Sequence, residues 1–333
     1  MSEQPTISLL SIVIPLFNEA ATVHRLVERV GGAVANSADD FEIIFVDDGS
    51  HDGTAAAVAR IAADDQRVKL VALSRNYGKE IALTAGLDHA RGDVIVFMDG
   101  DLQHPPECIP QFVDRWRQGY QMVYGIRTSR ETEARLVRRL KSWFYLCFNR
   151  LTQTPLPVGA GDFRLFDRKV ADAMRQYREA VRFMKGIYAS VGFRSIAVPY
   201  EVADRAAGRS SWNLWKLWNF ALTGLTSHTT LALRIWGYLG FVVAIVALLY
   251  AAAIIIDALV SGIDVPGYAS TVVLILFFGS LQMISMGVLG EYVARLHEEV
   301  KRRPIYVVEH LVNLPAPTAA HIASSAALAQ PEK

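Results

Sequence analysis

The chain has 333 residues, enough for one large domain or two smaller ones. Lys and Arg number 34 against 33 Asp and Glu, so the net charge of +1 gives no bulk attraction to nucleic acid. Hydrophobic residues make up 52% and charged residues only 20%, which is apolar for a wholly soluble protein and calls for a search for membrane spans.

The first two hundred residues alternate between strand and helix signals. The N-terminal "MSEQPTIS" has no basic run and no small-residue cleavage site, so the apolar stretch that follows reads as a strand, not a signal peptide. "LLSIVIPLF" is that strand, and "EAATVHRLVERVGGAV" an amphipathic helix. "FEIIFVDDGS" is a strand ending in acids, and "DGTAAAVARIAADD" a helix opened by Asp52. "VKLVALSR" is a third strand, "GKEIALTAGLDHARG" a helix closed by Gly92, and "DVIVFMDGD" a fourth strand. This order predicts an α/β fold with a mostly parallel, doubly wound sheet. In such sheets ligands bind beyond the carboxyl ends of the strands. "PLFNE", "VDDGS" and "MDGD" all lie at such ends, so three loops converge on one crevice.

Asp99 and Asp101 flank Gly100 just past the fourth strand. Two carboxylates that close repel unless a cation or a proton lies between them. A hard divalent ion, Mg²⁺ or Mn²⁺, with further oxygens from Gln103, water and substrate phosphates, meets that need. A solvated turn is the plain alternative for an isolated Asp-x-Asp. Asp47 and Asp48 end the second strand, where a carboxylate can accept from a ribose or base, or simply cap the next helix. No G-x-G-x-x-G follows the first strand and no G-x-x-x-x-G-K-[ST] occurs, which argues against a dinucleotide dehydrogenase or a P-loop enzyme. Cys108 and Cys147 show no metal-ligand spacing and read as ordinary thiols.

The later part changes character. Leu233 to Ile256 and Tyr268 to Gly290 are each long and apolar enough to span a bilayer, with Arg234 at the starting edge of the first. The linker between them has no Lys or Arg, whereas Arg295, Lys301, Arg302 and Arg303 follow the second. The positive-inside rule then puts both termini and the crevice in the cytoplasm. Residues 135–151 interleave basic and aromatic side chains, and Trp212, Trp215 and Trp218 recur at three-residue spacing, so both stretches suit a membrane interface. Packing of these aromatics into a domain core is the alternative. "IYVVEHLV" reads as one more strand, and the Ala/Ser/Pro-rich tail as disordered.

The set "SIVIPLFNEA", "VDDGSHDGT", "LSRNYGKEIALTAGLDHARGD", "DGDLQHPPE", "GDFRLFDRKV" and "DRAAGRSSW" resembles the polyprenyl-phosphate glycosyltransferases of glycosyltransferase family 2. "GEYVARLHEEVKRRPIYVVE" after two spans looks like the bactoprenol branch, and the resemblance covers about residues 7 to 310. It implies a GT-A fold over residues 1–210, including the interfacial helix 135–151. A juxtamembrane helix 211–230, a transmembrane hairpin 231–290, a cytoplasmic helix and strand 291–315 and a tail 316–333 would follow. It places Pro15, Phe17, Glu19, Asp47, Lys79, Asp99 and Gly100 around a nucleotide sugar, and Asp99, Asp101 and Gln103 at the metal. Arg127, Arg138, Ser142 and Ser210 would hold the lipid phosphate. Asp101, Asp162, Arg164 and Arg205 would serve catalysis, Arg205 by closing over the diphosphate. The family commonly has Lys where this chain has Ser211, and Arg209 is the candidate replacement.

The implied activity is inverting transfer of a hexose, foremost glucose from UDP-glucose, to undecaprenyl or decaprenyl phosphate. Other sugars such as mannose, GlcNAc, galactose or an aminosugar are alternatives. A processive polysaccharide synthase would be expected to carry Q-x-x-R-W and more spans, and an inactive nucleotide-sugar-binding scaffold would not need the intact acidic and arginine motifs. The bactoprenol resemblance also implies a homotetramer in which the strand after the second span is exchanged between protomers. An apolar strand of that kind does need an edge to pair with.

Overall fold

The computed structural model describes residues 5–128, 160–179, 182–201, 267–301 and 303–315, with scattered positions between 240 and 260. The expected interfacial helices 135–151 and 211–230, the tail 316–333 and most of the first span lie outside the described residues. The chain forms two compact units: residues 1–146, 154–212 and 304–333 make one, residues 147–153 and 213–303 the other.

The first unit is built on strands β1 (Leu9–Leu16), β2 (Asp40–Asp47), β3 (Val68–Leu73), β4 (Val94–Phe97), β5 (Met122–Arg127), β6 (Ala160–Asp167), β7 (Ser195–Tyr200) and β8 (Val308–Val312). Helices α1 (Val23–Val34), α2 (Thr54–Asp64), α3 (Lys79–His89), α4 (Ile109–Arg117), α5 (Arg168–Gln176) and α6 (Met184–Ser190) connect and cover them. The strands form a single sheet in the order β7-β5-β6-β4-β1-β2-β3-β8.

β1 and β2 are buried on both faces, which is why their sequences read as continuous apolar runs. Leu10, Ile12, Ile14, Ile43 and Phe45 pack on one side with α1, α2 and α4. Val13, Ile44 and Val46 pack on the other with α3, α5 and α6. The result is a three-layer α/β/α unit of the GT-A kind.

β3, β2, β1 and β4 are parallel, as expected. Beyond β4 the sheet becomes mixed, because β6 enters antiparallel between β4 and β5. β7 then adds parallel to β5. The chain order reverses at β1, whose neighbours are β2 and β4, so the crevice of a doubly wound sheet falls beyond the ends of β1 and β4. β5 runs in the same direction as β4, and its last residue, Arg127, lies on that same rim.

β8 lies antiparallel on β3 of its own chain, pairing Leu70 with Val312 and Ala72 with His310. Its start is later than the sequence suggests. Tyr306 is held from the flank, donating from its hydroxyl to Asp88 Oδ2 at 2.9 Å, while Arg178 donates to both Asp88 oxygens at 2.8 and 3.1 Å. Asn313 Nδ2 donates to the carbonyls of Ala62 at 2.6 Å and Val68 at 2.9 Å.

In the second unit, residues from the second expected span open a 33-residue helix, α7 (Tyr268–Val300). Among the described residues no helix is long and apolar enough to cross a membrane.

Candidate active site

The rim of the sheet gathers four loops. The loop after β1 is laced to the one after β2. Asn18 N donates to Ser50 Oγ and His51 N to Asn18 Oδ1, each at 2.9 Å. Glu19 N donates to Thr54 Oγ1 at 2.9 Å and Ala20 N to Asp52 Oδ2 at 3.1 Å. Asp52 thus serves the first loop as well as its own helix, where it accepts from Thr54 N at 3.0 Å. These bonds explain why α1 starts at Val23 and not at Glu19. Phe17 stands out of the laced loop, 45% exposed.

Asp47 and Asp48 divide their labour. Asp48 is buried and accepts from the N–H groups of Tyr77 at 2.7 Å and Gly78 at 2.8 Å, fixing the entry to α3. Burial pushes its carboxyl up, and the two amides partly offset that. Asp47 accepts from Ser50 N at 3.3 Å, and its Oδ1 is buried with no hydrogen-bond partner among the described residues. An oxygen in that state is ready for a donor from a bound molecule. Gly49, at φ 67°, lets the two backbones touch, since a Cβ there would lie 2.4 Å from the Arg75 carbonyl carbon.

The centre of the site is an ion cluster. Lys79, at the start of α3, places its ammonium 2.6 Å from Asp99 Oδ1 and 2.8 Å from Asp162 Oδ2. β6 explains the second contact. Its register pairs Phe97, the last residue of β4, with Arg164, and Asp162 lies two residues before Arg164 as Asp99 lies two beyond Phe97. Burial would raise both carboxyls, but Lys79 outweighs it and holds Asp162 well below the usual carboxylate range, with Asp99 also lowered. Burial would lower the Lys79 ammonium, and the two acids more than reverse this. The lysine side chain is still 41% exposed, so the cluster faces the crevice.

The acidic loop is tightly held. Gly100 admits no side chain, because a Cβ would lie 2.5 Å from Leu16 Cδ2 and 3.1 Å from the Pro15 carbonyl oxygen. Asp101 Oδ1 accepts from Gln103 N at 3.1 Å. Leu102 adopts φ 60°, a costly conformation for leucine, and tightens the turn. His104 is buried and accepts on Nδ1 from Asp99 N at 3.1 Å. Its ring stacks on Phe163 at 5.0 Å and 8° and meets the edge of Tyr200 at 5.8 Å. Burial pushes its pKa down, which keeps the acceptor nitrogen unprotonated.

Arg127 donates from Nε to the Tyr200 hydroxyl at 3.2 Å. Arg164 is buried behind Asp162, donating to the Gly161 carbonyl at 2.9 Å with its guanidinium 4.2 Å from the Tyr188 ring centroid. The structure therefore brings together Asp99, Gly100, Asp101, Gln103, Lys79, Asp162 and, on the same rim, Pro15, Phe17, Glu19, Asp47 and Arg127. Arg138, Ser142, Arg205, Arg209, Ser210 and Ser211 lie outside the described residues. The sequence reading passed over His104, Tyr200 and Glu80. For His104 the available signal was its place inside the acidic segment. Glu80 is a half-buried acid beside the cluster, pushed up to about 7 by burial and by Asp162.

Among the described residues no three His, Cys, Asp or Glu side chains form a metal cage by themselves. A divalent ion that takes one or two carboxylates and completes its shell with substrate phosphate and water fits that donor set. Asp101 and Gln103 lie on the same loop just past Asp99, whose carboxylate is engaged by Lys79.

The model for glycosyl transferase family 2 matches residues 11–175. An Escherichia coli K12 protein named as a prophage bactoprenol glucosyl transferase homolog is 43% identical over 302 residues, covering 91% of this chain and 99% of the relative. The chain belongs to glycosyltransferase family 2. It is a glycosyltransferase. A Synechocystis protein named as an uncharacterized glycosyltransferase is 46% identical over 305 residues, covering 92% of this chain and 96% of its own length. The bactoprenol glucosyl transferase of Shigella phage SfII is 43% identical over 300 residues, covering 90% and 97%.

Proposed function

We propose that this family 2 enzyme transfers glucose from UDP-glucose to the phosphate of a polyprenyl phosphate, with inversion, at the cytoplasmic face of a membrane. The observation that carries the reading is similarity along nearly the full length to enzymes named for bactoprenol glucosylation. The site supports it on chemical grounds. A polyprenyl phosphate has a second pKa of ~6 and is mostly dianionic near neutral pH, so it can attack an anomeric carbon without a protein base. Asp162 fits that requirement, because a carboxylate held ionised by Lys79 is a weak proton acceptor. Its role is to orient, together with Lys79, what enters the crevice.

Asp47 and Phe17 bind the nucleoside, Asp47 through its unpaired buried oxygen. Asp101 and Gln103 hold Mg²⁺ or Mn²⁺, which when bound offsets charge on the departing nucleoside diphosphate. Asp99 positions the loop from which they project. Arg127 faces the acceptor phosphate with Arg138 and Ser142, while Arg205 and Ser210 serve the phosphates from segments outside the described residues. Arg164 supports Asp162 from behind.

A lipid acceptor requires a membrane. The helix α7 exposes Ile275, Phe277, Met283, Ile284 and Met286, each more than half accessible, which is unusual for a helix in water. We read it and the first apolar run as the two spans, and the post-span strand as an assembly element of a homotetramer.

Full chain in native lipid extract, given labelled UDP-glucose and Mg²⁺, should yield labelled extractable lipid. Asp101→Ala should lower that yield by at least a hundredfold, as expected when catalytic charge stabilisation is lost, while still inserting in membranes. Absence of labelled lipid from wild type with every common nucleotide sugar overturns the reading. Wild-type turnover by Asp101→Ala overturns the metal assignment.

A further inference from the structure

We infer that His104 is a positioning residue for the metal-bearing loop, acting through the single hydrogen bond from Asp99 N to its Nδ1. The inference rests on the donor-site reading above and goes beyond it. Asp99 and Asp101 bracket Gly100 in a turn that no regular strand pairing controls, since β4 ends at Phe97. Something else must set the rotation of the backbone there. On the carboxylate side Lys79 holds the Asp99 side chain. On the backbone side the amide donates to His104 at 3.1 Å.

The imidazole cannot drift. It is 2% exposed, lies flat against Phe163 and abuts Tyr200. Phe163 sits in β6 between Asp162 and Arg164, and Tyr200 ends β7 with its hydroxyl accepting from Arg127. His104 therefore refers the acidic loop to the strands that carry the opposite half of the crevice. Leu102, at φ 60°, shows that the turn between Asp101 and His104 is held against its own preference. An apolar residue of the same shape would fill the space but leave the Asp99 amide buried without an acceptor.

The test separates the hydrogen bond from the packing. Asparagine places its amide oxygen near the position of Nδ1, phenylalanine keeps the stacked ring without an acceptor, and glutamine places its oxygen near the position of Nε2. Mn²⁺ binding to full chain in detergent, in the presence of UDP, is followed by electron paramagnetic resonance, with thermal melting as a check on folding. His104→Phe and His104→Gln should each weaken Mn²⁺ binding by about tenfold or more, as removal of groups that orient ligands does. His104→Asn should stay close to wild type. Equal Mn²⁺ binding by wild type and His104→Phe overturns the inference, as does His104→Asn binding no better than His104→Gln. Should His104→Phe not fold, the contrast between asparagine and glutamine decides alone. Failure of wild type itself to bind Mn²⁺ with UDP overturns the donor-site reading, and the inference with it.

Discussion

Glu80 offers a test of the electrostatic account that does not depend on substrate. It follows Lys79 in α3, is half-buried beside the ion cluster, and accepts from the N–H of Met184 at the start of α6. Burial raises its pKa and Asp162 adds to the rise. The folded chain therefore binds this proton more tightly than the unfolded one. From 4.5 unfolded to about 7 folded, at ~1.36 kcal/mol per pH unit, the difference is about 3 kcal/mol. The sign is unusual for a carboxylate. Its contribution to stability is fullest below pH 4.5, falls as pH rises towards about 7, and is flat above. Glu80→Gln keeps an oxygen for Met184 and cannot ionise. The stability of the variant relative to wild type should thus rise by about 3 kcal/mol between pH 5 and pH 8. For a domain of this size that is roughly 6 to 12 °C in melting midpoint. Paired melts of both proteins in the same detergent, at half-unit pH steps, read the difference directly, and groups common to both cancel. A difference that does not change with pH would refute the claim that the Glu80 charge is paid in folding free energy.

Two further outcomes are expected. Gly100→Ala should slow sugar transfer by about tenfold and lower stability by about 1–3 kcal/mol, because the Pro15 carbonyl beneath the new Cβ is backbone and cannot swing aside; full activity would show that the acidic loop tolerates displacement. Removal of residues after Pro304 should convert the proposed tetramer into smaller species by mass measurement in detergent, and should lower the melting midpoint, since it strips β8 from β3 and removes the Tyr306 and Asn313 hydrogen bonds. An unchanged mass would refute the assembly role of the strand.

The sequence was most readable where residues are buried on both sides of the sheet. β1 to β4 emerge from mostly apolar runs, broken only by Ser11, Glu42 and Lys69, to within a few residues at their ends. β6 is hidden because Asp162 and Arg164 interrupt its apolar residues, although Phe163, Leu165 and Phe166 are fully buried. β5 is masked by Gly125, whose missing side chain makes room for Tyr200. The three acidic and polar loops could be assigned to one rim from strand order alone. The partnership of Asp99 with Asp162 could not, since it depends on the antiparallel register of a strand the sequence did not reveal. Lys79 was expected in the nucleotide pocket, yet no local signal could show that its ammonium bridges two acids.

That bridge bears on how two anionic substrates share one crevice. Glu19, Asp47, Asp99, Asp101 and Asp162 set against Lys79 and Arg127 leave three net negative formal charges on the described rim. A sugar nucleotide's diphosphate and a divalent cation roughly cancel each other, so their arrival does not alter that balance. The acceptor phosphate then brings nearly two more negative charges, and burial in a crevice magnifies the repulsion. Lys79 cannot offset this, because its charge is already divided between Asp99 and Asp162. Arg127 supplies one cation. Of the residues proposed for the acceptor phosphate, Arg138 is the further cation, and it lies outside the described residues. On this charge balance the described rim is rich in acid, and the acceptor phosphate proposed above calls for cations from elsewhere in the chain.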